Sequence, residues 1–444
     1  MAITTVDLCR ELIRNRCVND GSPDSGHEER SVSTLREFFG VAGEIFEPSP
    51  GRQSLVYRIP GTEPGAPALA LVPHLDVVPA NPTGWKVDPF SAEIVDGFLW
   101  GRGAIDMLNV TAAMAQVFKP YLTGEAEMRG DLVFAAVADE ENAGRYGAGP
   151  LVEDHWSLVG ADYLLTEVAY PSIPGRNGPL FPVAVGEKGP HWTRLETTGT
   201  PGHGSAPYGT DNALAPLTEA LHGVFNTAAP VKIGPEWREF VAAIDLPDEL
   251  AAALVDPANV DAAIDALAID DPTLARYIHA VTHLTVSPNV LRAGVKANVV
   301  PESASAEIDI RTLPGMDRGF VDAHLRAAAG PAASRLTLTP IADHPATVSS
   351  RDNPLWEAIV TGIETHTGST NVIPALMTGF TDARFWRARG TIAYGVGLHD
   401  DAIGFGEFLS LFHGRNERVS VGSVDLTTQL LASVVATFGD LAAA

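Results

Sequence analysis

His74 and Asp76 stand two residues apart where the apolar run from Leu69 to Val72 breaks, in the stretch LALVPHLDVVP. A short unbroken apolar run suits a strand covered on both faces. Side chains alternate across an extended backbone, so positions two apart point to the same side and both polar groups converge on one spot. In open α/β sheets ligands bind there, beyond the carboxyl ends of the strands. A His beside a carboxylate at such a place is either a metal ligand with its orienting partner or half of a general-base pair. Taken alone, the pair reads more simply as a surface His with a neighbouring Asp.

Three further apolar runs end in acid. LWGRGAID places Asp106 at the head of an apolar helix, where capping is the commoner use of an Asp. DLVFAAVA runs straight into Asp139, Glu140 and Glu141, and DYLLT runs into Glu167. Consecutive carboxylates at the end of a buried strand repel one another unless something positive sits between them. A single acid there is commonplace; acids at successive run ends point to a shared cation site. His413 arrives from far along the chain, beside Arg415, Asn416 and Glu417 and ahead of a helix.

The elements that must carry these groups follow from the pattern. At 444 residues the chain can bury a large core and reads as more than one domain. The opening MAITTVDLCRELIRNRCVND spaces Leu8, Leu12 and Ile13 as on an amphipathic helix, not as in a signal peptide. Its two cysteines, Cys9 and Cys17, are about 12 Å apart on a helix, too far for a disulfide. A reduced, cytoplasmic setting fits them. No run of about 18 apolar residues occurs, so no membrane span is expected. The formal charge of −25 repels phosphate backbones and argues against nucleic acid as a partner. From residue 192 to 339 a β-α-β-β-α-β order resembles a ferredoxin-like unit inserted into the first domain, interrupted by an Ala-rich, helix-like stretch at 235–282. The fold class expected is α/β: a mixed-sheet catalytic domain flanked by helices, with an inserted α+β lid or dimerisation domain. The boundaries fall at 1–187, 188–342 and 343–444.

HLDVVP, GRGAIDM, ADEEN, LLTEV, GTPGHGSAP, NVVPESASAEIDIRTLPG and FHGRNERV together resemble the M20 family of di-zinc metallopeptidases and amidohydrolases. That group includes aminoacylases, glutamate carboxypeptidases, acetylornithine deacetylases and succinyl-diaminopimelate desuccinylases. The motifs stand in family order from about residue 7 to the end. The resemblance implies two zinc ions, with cobalt or manganese as substitutes, bridged by Asp106. His74 and Glu167 would complete one site, and Glu141 and His413 the other. It implies Asp76 as the group that aims His74, Glu140 as general base, and His203 as an oxyanion donor delivered from the partner subunit of a homodimer. Arg311 and Asn298 would grip the substrate carboxylate, with Gly379 near the same end. An ion pair of Arg311 with Asp309 or Glu307 is the plainer reading of that residue.

The activity so implied is hydrolysis of an amide or peptide bond next to a free carboxylate, in an N-acyl amino acid or short peptide. The alternatives are a dipeptidase, an N-acyl-diamine deacylase, or a catalytically silent binding protein on the same fold. The sequence departs from many relatives at Met107, Leu108 and Asn109, where Lys and Gly often follow the bridging Asp. It departs again at Phe380, where a second glycine is common. The family also leads one to expect a cis peptide between Asp106 and Met107.

Overall fold

The computed structural model describes residues 3–442. Nine strands form one mixed sheet, in which Leu69–Leu71 pairs in parallel with Leu132–Ala136 on one side and Tyr163–Thr166 on the other. Three parallel neighbours place their carboxyl ends on one edge of the sheet, and the residues that follow each strand meet there. The sheet is covered on both faces. Leu69 and Leu71 join a large core with Val110, Phe118 and Phe134, whereas Ala70 and Val72 join a smaller one with Leu151, Val159 and Trp386. This two-sided burial is why the strands read as unbroken apolar runs.

Helices Thr5–Arg14, Leu108–Leu122, Pro354–Thr367 and Val421–Leu441 pack against one another over the larger core. Val421–Leu441 is long and apolar enough, by length and composition alone, to cross a membrane. In the fold it is a core helix, burying Val424, Thr427, Leu431, Val434 and Phe438 at helical spacing. Cys9 and Cys17 are free and buried.

A second sheet lies in the inserted segment. Its strands run Thr285–Ala293, Ser303–Thr312, Thr193–Thr198, Thr337–Pro340, each antiparallel to the next. Helices Leu214–Asn226 and Arg318–Ala329 pack together beside it. In chain order the strand positions are 2-3-1-4, the arrangement of a ferredoxin-like unit. Ser303–Thr312 alternates strictly, burying Ala304, Ala306, Ile308 and Ile310 and turning Asp309 and Arg311 to the opposite face.

The stretch at 235–282 folds into four short helices. The first, Pro235–Ala243, braces strand Val372–Met377, and the last, Pro272–Thr282, braces helix Phe405–Leu411. Where the two sheets join, consecutive residues point to different partners. Glu187 accepts hydrogen bonds from the Thr381 N–H and from Arg387, while Lys188 donates to the carbonyls of Ala280 and His283. Both side chains are buried, and between them they tie the junction to the loop after Met377 and to the helical stretch.

Candidate metal centre

The sheet edge gathers the acids. His74 and Asp76 follow Leu69–Leu71, Glu140 and Glu141 open a short 3-10 turn after Leu132–Ala136, and Glu167 follows Tyr163–Thr166. Asp106 sits on a turn between strand Phe98–Trp100 and helix Leu108–Leu122, at the head of that helix as expected, but the helix takes no side-chain cap from it. The Asp106–Met107 peptide is cis, as is Glu167–Val168.

Two groups of side chains able to hold a metal ion result: His74, Asp106 and Glu167, and Asp106, Glu141 and His413. In each group the donor atoms lie within 4.8 Å of one another. Asp106 faces both. Its Oδ1 is 3.2 Å from His74 Nε2 and its Oδ2 is 3.2 Å from His413 Nε2. His413 Nε2 is also 3.2 Å from Glu141 Oε2, and His74 Nε2 is 3.8 Å from Glu167 Oε2. Glu140 Oε1 and Glu141 Oε1 are buried without a hydrogen-bond partner. Four carboxylates and two imidazoles packed this closely, with no thiolate among them, fit a pair of dications.

The electrostatics say the same. Burial pushes the pKa of Glu140 well above the usual carboxylate range, and Glu167 likewise. Burial opposes a charged ring at His74, but Asp106, Glu167, Glu140 and Asp76 outweigh it and raise the pKa well above the ordinary value. At His413 burial is likewise overcome by Asp106 and Glu141, which lift it to about 11. Burial works against the charge of Asp106 too, but hydrogen bonds from His413 and His74 hold its pKa well below the ordinary one. Without metal, the two histidines are the cations of the site.

Asp76 behaves differently from the expectation that its carboxylate aims His74. His74 Nδ1 bonds to the backbone carbonyl of Asp76 at 3.0 Å, while Asp76 Oδ1 lies 3.6 Å from that nitrogen. The carboxylate instead accepts the backbone N–H groups of Glu140 and Glu141, and an amide hydrogen from Asn19. Residue 76 therefore orients His74 through its main chain and fixes the acidic turn through its side chain.

Two buried networks that sequence reasoning missed support this turn and His413. Asp139 has a left-handed backbone, φ 66°, and so does His413, φ 54°. For non-glycine residues such conformations persist only where neighbours enforce them. Asp139 is held by Arg52, by Asn19 and by the Tyr146 N–H, and Arg52 also pairs with Glu28. Arg52, Glu28 and Asp139 are all fully buried. Arg102 holds the carbonyls of His413 and Gly414 and pairs with Glu417, whose other oxygen accepts the Ile105 N–H.

Asp106, Glu140, Glu141, Glu167 and His413 border a cavity of about 600 Å³. Glu140 and the acids close one side, Trp192, Asp309 and Arg311 come from the inserted sheet, and Gly379 and Phe380 come from the loop after Met377. Arg311 makes the ion pair of its plainer reading and also faces the cavity. Its Nε and Nη2 are paired with Asp309 at 2.7 and 3.1 Å, yet it lines the cavity, with its guanidinium 4.8 Å from the Phe380 ring. His203 and Asn298 are not among the cavity-lining residues. They lie together, exposed, on a two-stranded ribbon in which His203 faces Val299, and the Gly204 N–H bonds to the Asn298 carbonyl.

The fold and this site together define a metal-dependent hydrolase. Residues 70–437 match the profile of peptidase family M20/M25/M40, and the chain belongs to that family. It is 27% identical to pig (Sus scrofa) aminoacylase-1, over 97% of this chain and 95% of that protein. It is 26% identical to the N-fatty-acyl-amino acid synthase/hydrolase PM20D1 of Xenopus tropicalis, over 92% of this chain and 81% of that one. Among solved structures, the fold resembles the M20 family metallo-carboxypeptidase Sso-CP2 from Sulfolobus solfataricus, with a TM-score of 0.72, 18% identity and 98% of each chain covered. The protein is thus a hydrolase of amide or peptide bonds.

Proposed function

We propose that the protein cleaves an amide next to a free carboxylate, as in an N-acyl amino acid or a short peptide, with Glu140 as general base. The observation that carries this reading is the Glu140 carboxylate: buried, with Oε1 unpartnered, beside both ligand groups and in one cavity with Arg311. His74, Asp106 and Glu167 would hold one metal ion and Asp106, Glu141 and His413 the other. Zinc suits these donors, with cobalt or manganese as substitutes. Bound there, the ions polarise the scissile carbonyl and make the attacking water more acidic.

Glu140 takes the water's proton at Oε1 and returns it to the leaving amine. Arg311 Nη1, the nitrogen that Asp309 does not occupy, is the donor left for the substrate carboxylate. Asn298 and Gly379 act at the same end of the substrate.

His203 serves as the oxyanion donor. Its Nδ1 accepts the Ser205 N–H at 3.2 Å, which leaves the ring proton on Nε2, facing away from its own turn. Being exposed and outside its own cavity, the His203–Asn298 ribbon reaches the site of a second copy in a homodimer. Among the described residues the outer strand Thr285–Ala293 is unpaired on one side and exposes Leu291, and Val295 and Val299 are exposed nearby, as a pairing edge requires. In this reading residues 1–187 and 343–444 form the catalytic unit and 188–342 the lid. The free cysteines suit a cytoplasmic location.

A screen of the zinc-loaded protein against N-acyl amino acids, dipeptides and N-acyl diamines tests the reading. Cleavage that requires a free carboxylate beside the scissile bond supports it. Preference for substrates without one, or no cleavage at all, overturns it.

A further inference from the structure

Four tyrosines are buried in this protein: Tyr57, Tyr170, Tyr277 and Tyr394. Three have hydroxyl partners. Tyr57 donates to the Val41 carbonyl, Tyr277 to the Leu376 carbonyl and Tyr394 to the Ser350 carbonyl. The Tyr170 hydroxyl has none among the described residues, although the residue is only 5% exposed. Its oxygen is not sealed from solvent either, so it opens onto the space beside the ring.

The reason lies in where Tyr170 sits. It lines the metal cavity three residues after Glu167. Its ring packs against Phe405 and Phe408 of helix Phe405–Leu411, and this helix and the residue after it supply Leu409 and Phe412 to the same cavity. Its backbone is fixed as well, because His399 Nε2 donates to the Ala169 carbonyl at 2.9 Å. A rigid phenol is thus set into an otherwise apolar wall. That wall belongs to the catalytic half, whereas Arg311 and Trp192 come from the inserted sheet. If Arg311 takes the carboxylate end of the substrate, the acyl half is left to the wall of Tyr170, Leu409 and Phe412.

We propose that Tyr170 is a specificity-determining residue whose hydroxyl donates a hydrogen bond to an acceptor oxygen on an otherwise apolar acyl group. This rests on the proposed cleavage of N-acyl amino acids. A site built to bond a substrate oxygen discriminates strongly against the analogue that lacks it, because its own polar group is then left unpaired.

The test uses zinc-loaded wild type and Tyr170→Phe with matched N-acyl amino acids. One series carries a keto oxygen at successive carbons of the acyl chain, and the other carries a methyl branch at the same carbons. At one position the wild type should favour the keto substrate by about tenfold in kcat/KM, and Tyr170→Phe should bring that ratio close to one. Thermal melting gives a second readout: losing an unpartnered hydroxyl should leave Tm unchanged or raise it. A Tm lowered by several degrees would mark a structural hydrogen bond and overturn the inference. Turnover of both series with no keto preference that depends on Tyr170 overturns the inference alone. No turnover of any N-acyl amino acid by the wild type overturns the N-acyl amino acid form of the parent reading and this inference with it.

Discussion

Arg102 Nη1 lies 2.5 Å from Glu417 Oε2, joining two buried side chains 315 residues apart in the chain. The pair is a joint between the turn that carries Asp106 and the loop that carries His413, two members of one candidate metal group. Glu417 also receives the Ile105 N–H, next to Asp106, and Arg102 also holds the His413 carbonyl. Removing one partner of a buried ion pair strands the other charge and costs about 3–5 kcal/mol. Glu417→Ala should therefore lower unfolding stability by about that amount in a urea melt and weaken metal binding. Unchanged stability and unchanged metal affinity would mean that the joint does not position the site.

Metal loading should release protons. In the metal-free protein the neighbouring carboxylates raise His74 well above its ordinary pKa and His413 to about 11, so both rings are protonated at neutral pH. Each must be deprotonated to ligate through Nε2. Loading at neutral pH should thus release at least about two protons per chain, read by titration calorimetry in buffers of differing ionisation enthalpy. The sign for stability follows. A histidine raised in the folded state stabilises the metal-free fold fully below about pH 6.5, and that contribution is lost as pH climbs toward the folded value. The gap in Tm between loaded and metal-free protein should therefore widen from pH 6.5 upward. A gap that narrows would contradict the assignment.

His203→Ala should cut activity with metal content intact. Mixed with a Glu140→Ala variant, it should recover part of the activity, because a hybrid dimer contains one site with both residues native. Subunit exchange, followed by a mass tag, must be shown in the same mixture. Exchange without recovery would place His203 in its own chain's site.

Much of this was legible in the sequence because the central strands are buried on both faces. Leu69–Leu71, Leu132–Ala136 and Tyr163–Thr166 are unbroken apolar runs, and the polar groups just past them mark one sheet edge. What stayed hidden depends on long-range pairing. Arg52 and Glu28 lie outside every motif quoted from the sequence, and nothing local says that they meet at Asp139. Arg102 and Glu417 stand inside GRGAID and FHGRNERV, a usable signal, yet only the fold shows them bonded to each other. The main-chain role of residue 76 has no side-chain signature, so the carboxylate was credited with work that a carbonyl does. The helices of 235–282 were visible from their alanines, but their bracing of Val372–Met377 and Phe405–Leu411 was not.

The account turns on Glu140 as a base that is not a ligand, and Glu140→Ala separates those roles most directly. Turnover of the best substrate from the screen and metal content by elemental analysis are measured on the same preparation. The account predicts loss of turnover by at least about a hundredfold with close to two metal ions per chain retained. Substantial retained turnover, or loss of a metal ion along with the activity, would contradict it.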